Sequence, residues 1–93
     1  MFYKSKLKKC IEVAQPYFED EITIERLQNR RRTKDYVLPR FFVMGLLDKS
    51  SQYSRRQIAN MLNMKDHTSI LHGCNRAYEI WGDELFEELQ TND

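Results

Sequence analysis

Apolar residues recur along this chain at the three- and four-residue intervals of an amphipathic α-helix, and no β-branched run alternates long enough to suggest a strand. With only three glycines and two prolines, the pattern predicts an all-α fold. Leu7, Cys10, Ile11 and Ala14 line one face of a first helix, with Lys4, Lys6, Lys8 and Lys9 outside it and Pro16 closing or kinking it. Ile22, Ile24 and Leu27 predict a short second helix capped by the Thr23 hydroxyl. The stretch Arg30-Arg31-Arg32-Thr33-Lys34-Asp35 has no apolar residue to bury and is expected to be an exposed basic loop. Pro39 suits the first position of a third helix reaching Asp48, with Phe42, Val43, Leu46 and Leu47 inward, and a polar link follows from Lys49 to Gln52.

The last pair of predicted helices carries the chemistry. Ser54 with Gln57 three residues on is a capping box, opening a short helix with Ile58, Met61 and Leu62 inward. Asn63-Met64-Lys65 turns the chain, Asp66 is placed to cap the next helix, and Ile70, Leu71, Cys74, Ala77, Tyr78 and Trp81 form its inward stripe. A short capped helix, a tight turn and a longer helix with a polar outer face make a helix-turn-helix, whose second helix enters the major groove. Its first turn must then offer groups that bond base edges. Asp66 can accept from a cytosine amino group, His67 and Ser69 can donate or accept, and the Thr68 methyl can meet a thymine methyl, while His72 and Arg76 lie within reach of phosphates.

Charge sharpens this reading only when it is mapped along the chain. The 93 residues carry a formal charge of +1, which on its face disfavours a nucleic-acid partner. Between Arg26 and Arg76, however, eleven basic residues face three acidic ones, a net of +8, masked by acidic flanks that sum to −1 before and −6 after. The expected organisation is a single domain: residues 1–21 a helix and link, 22–81 the helix-turn-helix core, 82–93 an acidic C-terminal segment.

The block Lys65-Asp66-His67-Thr68-Ser69-Ile70-Leu71-His72-Gly73-Cys74 closely resembles the signature (R/K)-D-H-T-(T/S)-(V/I)-L-H-A-C of the C-terminal DNA-binding domain of the bacterial replication initiator DnaA. The basic loop, Pro39-Arg40, and Ser54 followed by Ile58 fall at the family's spacing, so the resemblance covers roughly Ile22 to Tyr78. It implies a small Trp-repressor-like helical domain in which Asp66, His67, Thr68 and Ser69 read bases in the major groove. It also implies that Arg32 enters the adjacent minor groove with Arg31 and Lys34 in support. Arg40, Lys65 and His72 match positions at or beside the phosphate backbone, and Arg55, Arg56 and Arg76 add charge there.

The departures are specific. Arg55-Arg56 replaces a Leu-Pro pair, Asn63-Met64 a glycine-rich turn, and Phe41 a polar residue; Asp48 stands where a lysine is expected, an exchange that Lys49 is placed to relieve. No Gly-x-x-x-x-Gly-Lys-Ser/Thr loop occurs, so this chain alone is expected to bind DNA without ATPase or other enzymatic activity, and without a cofactor.

Three uses stay open: regulating replication initiation by competing at or marking initiator boxes, as a phage or mobile element would; transcriptional control at a separate site; or a protein-interaction module that keeps the fold. Double-stranded DNA is the expected partner, with the initiator or other replication proteins as further candidates and a monomer favoured.

Other chemistry is weaker. His67, His72 and Cys74 do not make zinc-ligand spacing, and Cys10 and Cys74 fall on inward stripes, where reduced, unreactive thiols are expected. Ile80, Trp81, Leu85 and Phe86 read as core; a single-strand stacking platform would not sit beside Asp83, Glu84, Glu87 and Glu88. Those acids form either a solvated helix face or a segment that shields the protein from non-specific DNA. The start Met1-Phe2-Tyr3-Lys4 lacks a secretion signal and no apolar run would span a bilayer, so a cytoplasmic, nucleoid-associated location is expected.

Overall fold

The computed structural model describes residues 2–29, 31 and 33–90, and among these the regular structure is helical throughout. The helices are α1 (Phe2–Ala14), α2 (Ile24–Gln28), α3 (Lys34–Lys49), α4 (Arg55–Met61), α5 (His67–Trp81) and α6 (Asp83–Glu88), with a single 3-10 turn at Gln15–Tyr17. The fold class is all-α, as the apolar spacing predicts.

Helix α3 is the axis of the domain. Every residue from Phe42 to Leu47 is buried, so this helix is enclosed on all sides. All five other helices pack on it. At one end Phe42 meets Trp81 (centroids 5.0 Å apart) and Phe86 (4.9 Å), while Phe18 meets Trp81 (5.9 Å), all edge-to-face. Phe86 is fully buried, which draws α6 into the core.

Local chemistry sets the element ends. Thr23 Oγ1 accepts from the Arg26 N–H (3.1 Å) and opens α2. Pro16 sits in the 3-10 turn that ends the first segment. Beside it the Gln15 amide clasps the link, donating to the Asp20 carbonyl (2.9 Å) and accepting from the Ile22 N–H (2.8 Å).

Two expectations about α3 are corrected. The helix begins at Lys34, so Lys34 and Asp35 belong to its first turn and not to a loop, and Pro39 lies inside the helix and not at its first position. An internal proline leaves the carbonyl four residues back, that of Asp35, without its helical donor. Here Arg26 supplies one: its Nη2 donates to the Asp35 carbonyl (3.1 Å), with the Asp35 carboxylate 3.7 Å from the same nitrogen. A side chain of α2 thus meets the carbonyl that the proline leaves open.

Three further side chains depart from their expected setting. Lys6 is buried in a crevice beside Cys10, Val13 and Leu46, its long stem lying along apolar surface. Leu71 and Ile80 are exposed, at 41% and 44% of their surface, because the buried stripe of α5 narrows to Ile70, Gly73, Cys74 and Ala77.

Candidate nucleic-acid interface

The site is built from α4, the turn after it, and the start of α5. The Ser54–Gln57 capping box forms in full, with Gln57 N–H donating to Ser54 Oγ (3.2 Å) and Ser54 N–H to Gln57 Oε1 (2.8 Å). Ile58, Ala59, Met61 and Leu62 are buried and fix α4. The turn needs one left-handed residue, and Asn63 provides it at φ 56°. Asparagine tolerates that conformation, which explains how the turn closes without glycine. Asp66 then caps α5, its Oδ1 accepting from the Thr68 N–H (2.9 Å). Hydrogen bonding with Thr68, first through its side chain and then through its backbone, holds the Asp66 carboxyl below the usual carboxylate range.

Helix α5 lies unusually close to α3. A Cβ on Gly73 would fall 2.1 Å from Met44 Sδ and 3.1 Å from the Phe41 ring. Glycine is what allows this approach. The Cys74 thiol points inward to the Met44 carbonyl (3.5 Å), and burial pushes it up to about 12. Tyr78 donates its hydroxyl to Asp48, and its own ionisation is driven upward first by burial and then by that bond.

The sequence-predicted residues fall into three groups. Asp66, His67 and Thr68 are exposed on the first turn of α5 and Ser69 is half-buried beside them. Arg55 and Arg56, both exposed, share with His67 an open concavity of about 500 Å³. Lys65 is exposed in the turn, His72 meets the Phe41 ring edge-on (6.1 Å), and Arg76 pairs with Glu79 (3.1 Å) on the outer face of α5.

The basic segment is tied to this surface. Gln28 donates to the Met61 carbonyl at the end of α4 (2.9 Å), and Asn29 Oδ1 accepts from the Arg31 N–H (3.0 Å). Arg40, only 9% exposed, reaches out of α3 to donate through Nη2 to the Arg31 carbonyl (2.7 Å), while its Nε is buried with no partner. Burial lowers its pKa from the ordinary arginine value. A cavity of about 250 Å³ brings Arg40 together with Asn29, Lys65, Asp66 and Ser69, joining the basic segment to the start of α5. The predicted minor-groove residue Arg32, with Arg30, lies outside the described residues.

Some contributors were not singled out from the sequence. Tyr36 is a platform for two cations, Arg26 (4.7 Å from the ring centroid) and Arg31 (5.6 Å). Its place one turn before Arg40 on the same helix was the available signal. Lys49 does not relieve Asp48 as expected. It turns to Asp83 and Glu87 (3.5 Å each) and lies over the Tyr78 ring (4.9 Å). Slight burial lowers the Lys49 pKa, but the two acids outweigh it and raise it overall.

A two-helix motif with a capped, exposed second helix, flanked by a tethered basic segment, defines a helix-turn-helix domain. Comparison with known families places it more closely. Residues 11–77 match the bacterial dnaA protein helix-turn-helix family. Among similar proteins are the chromosomal replication initiator protein DnaA of Treponema denticola, 36% identical over 69 residues (73% of this chain, 15% of the relative), and that of Roseiflexus castenholzii, 33% identical over 81 residues (87% and 15%). That of Chloroflexus aggregans is 36% identical over 58 residues (62% and 12%). No solved structure matches the chain. This chain belongs to the DnaA helix-turn-helix family, and it spans about one seventh of the length of the initiators it resembles.

Proposed function

We propose that this protein binds a short double-stranded DNA site in a sequence-specific manner and acts on replication initiation by occupying or marking initiator boxes, without ATP hydrolysis of its own. In this reading Asp66, His67, Thr68 and Ser69 read base edges in the major groove. Arg31, Arg32 and Lys34 serve the neighbouring minor groove, where a narrow groove concentrates negative potential. Arg40, Arg55, Arg56, Lys65, His72 and Arg76 meet phosphates, which set position and orientation but carry no sequence information.

The observation that carries the reading is the tie between the two DNA-facing parts. Arg40 grips the Arg31 carbonyl and shares a cavity with Lys65 and the first turn of α5. A phosphate between two grooves would meet that set of donors at the mouth of the cavity. Arg76 would exchange Glu79 for a phosphate at little cost, since exposed ion pairs contribute about 0–1 kcal/mol.

The test compares an initiator-box duplex with a scrambled one at fixed moderate salt. Wild type is expected to prefer the box, and His67→Ala or Thr68→Ala to lose that preference. Arg40→Ala should weaken both duplexes alike and lower the slope of log affinity against log salt by about one. Equal affinity of wild type for the two duplexes would falsify sequence-specific binding.

A further inference from the structure

We infer that Tyr36 is a positioning residue for DNA binding: its ring holds Arg31 in place before DNA arrives, so that the basic segment reaches the minor groove already ordered. The inference rests on the proposed docking of that segment. Arg31 is exposed, and an arginine at a protein surface ordinarily keeps wide rotamer freedom. Here it is anchored at three points. Its N–H donates to Asn29 Oδ1 (3.0 Å), its carbonyl accepts from Arg40 Nη2 (2.7 Å), and its guanidinium carbon lies 5.6 Å from the centroid of the Tyr36 ring. The first two contacts fix the backbone; the ring fixes the side chain.

Tyr36 is itself well seated. It lies half-buried in the first turn of α3 and donates its N–H to the Thr33 carbonyl (3.0 Å). Arg26 lies over the same ring, 4.7 Å from the centroid. Two guanidinium groups on one ring repel each other, and the Asp35 carboxylate, 3.7 Å from Arg26 Nη2, offsets that repulsion. Arg26 is tied further to the carbonyls of Glu21 (3.3 Å) and Asp35 (3.1 Å), so its charge is committed within the protein. Arg31 is the more exposed of the two cations, and it directly precedes Arg32, to which the proposed reading gives the minor groove. A side chain that must be immobilised on binding lowers affinity by about two- to tenfold. Holding Arg31 in advance removes that loss without adding a charge or a phosphate contact.

Two measurements test this. In the DNA-free protein, nitrogen relaxation of the Arg31 Nε–H should give an order parameter above the roughly 0.6 that marks flexible groups in wild type and Tyr36→Phe, and below it in Tyr36→Leu. On the initiator-box duplex, adenines are replaced singly by 2,6-diaminopurine, which keeps the major-groove edge of adenine and adds to the minor groove the amino group that guanine carries. Wild type and Tyr36→Phe should lose about tenfold at one position. Tyr36→Leu should bind the unmodified box about two- to tenfold more weakly and lose less than about threefold on the same exchange. It should also keep the wild-type slope of log affinity against log salt, since no charge has changed. Circular dichroism checks that both variants are folded. The role of Tyr36 is overturned, with sequence-specific binding left standing, if the Arg31 order parameter is the same in wild type and Tyr36→Leu. The same holds if Tyr36→Leu retains the full diaminopurine loss, if Tyr36→Phe behaves like Tyr36→Leu, or if wild type prefers the box yet tolerates every exchange. If wild type binds box and scrambled duplexes alike, the docking and the role of Tyr36 fall together.

Discussion

Cys74 and Cys10 are both buried, and Cys74 is raised to about 12 by burial, so neither thiol has the exposed, electropositive setting of a reactive cysteine. A thiol reagent at about pH 8 should label the native protein slowly and both cysteines quickly in denaturant; fast labelling of the native protein would place a thiol at the surface. Asp66 combines both duties, as helix cap and as a proposed base contact. Its carboxyl is lowered by folding, so its contribution is complete above the usual aspartate range and is lost as pH falls through the folded value. Asparagine caps equally well but does not titrate. Asp66→Asn should therefore match wild type in acid, and wild type should be the more stable at neutral pH, as read from urea midpoints between pH 7 and about pH 3. A difference that does not change with pH would mean the charge contributes nothing to the cap.

At the scale of elements, the ends set by a side chain close in sequence were legible, and those set from a distance were not. Thr23, Ser54 with Gln57, and Asp66 each mark a helix start through a partner two or three residues on. The start of α3 escaped because Pro39 ordinarily marks a first turn, whereas here the bond it forfeits is supplied by Arg26, nine residues before Asp35. The Leu71 side chain was misplaced because it sits at the margin of the apolar stripe, and only the close approach of α5 to α3 decides which marginal positions are covered. Apolar spacing and caps bring the candidates Lys65, Asp66 and Ser69 to one helix start; the links among Arg40, Arg31 and Tyr36 were not legible, since they join positions whose proximity depends on the completed fold. Arg26→Ala should lower stability by about 1–2 kcal/mol, and by less in a Pro39→Ala background, where the restored N–H takes the Asp35 carbonyl. A double-mutant cycle in urea measures this, and additive effects would contradict it. Gly73→Ala should cost about 1 kcal/mol net, since crowding against Met44 outweighs the helix preference of alanine; a rise in melting temperature would show that α3 yields freely.

At the scale of the whole molecule, the acidic end is part of the packing. Phe86 is buried and Gln90 donates to the Leu46 carbonyl (3.0 Å), so α6 is docked on α3. Phe86→Ala should cost about 3–5 kcal/mol, a large share of the roughly 5–15 kcal/mol that holds a domain folded; thermal unfolding measures it, and a loss under about 1 kcal/mol would mean α6 is not needed for the fold. Truncation after Gly82 would accordingly confuse lost charge with lost structure. Neutralising Glu84 and Glu88, which leaves Lys49 both of its partners, Asp83 and Glu87, lowers the charge with the docking contacts of α6 kept.

Gly82, at φ 89°, joins α5 to α6. Because α5 is about 22 Å long at 1.5 Å per residue, this joint sets Asp83, Glu84, Glu87 and Glu88 at the opposite end of the helix from His67 and Lys65. In the proposed docking, with the N-terminus of α5 leading, these acids stand at the rear, and repulsion of that end by a polyanion would act as a vane that favours this approach.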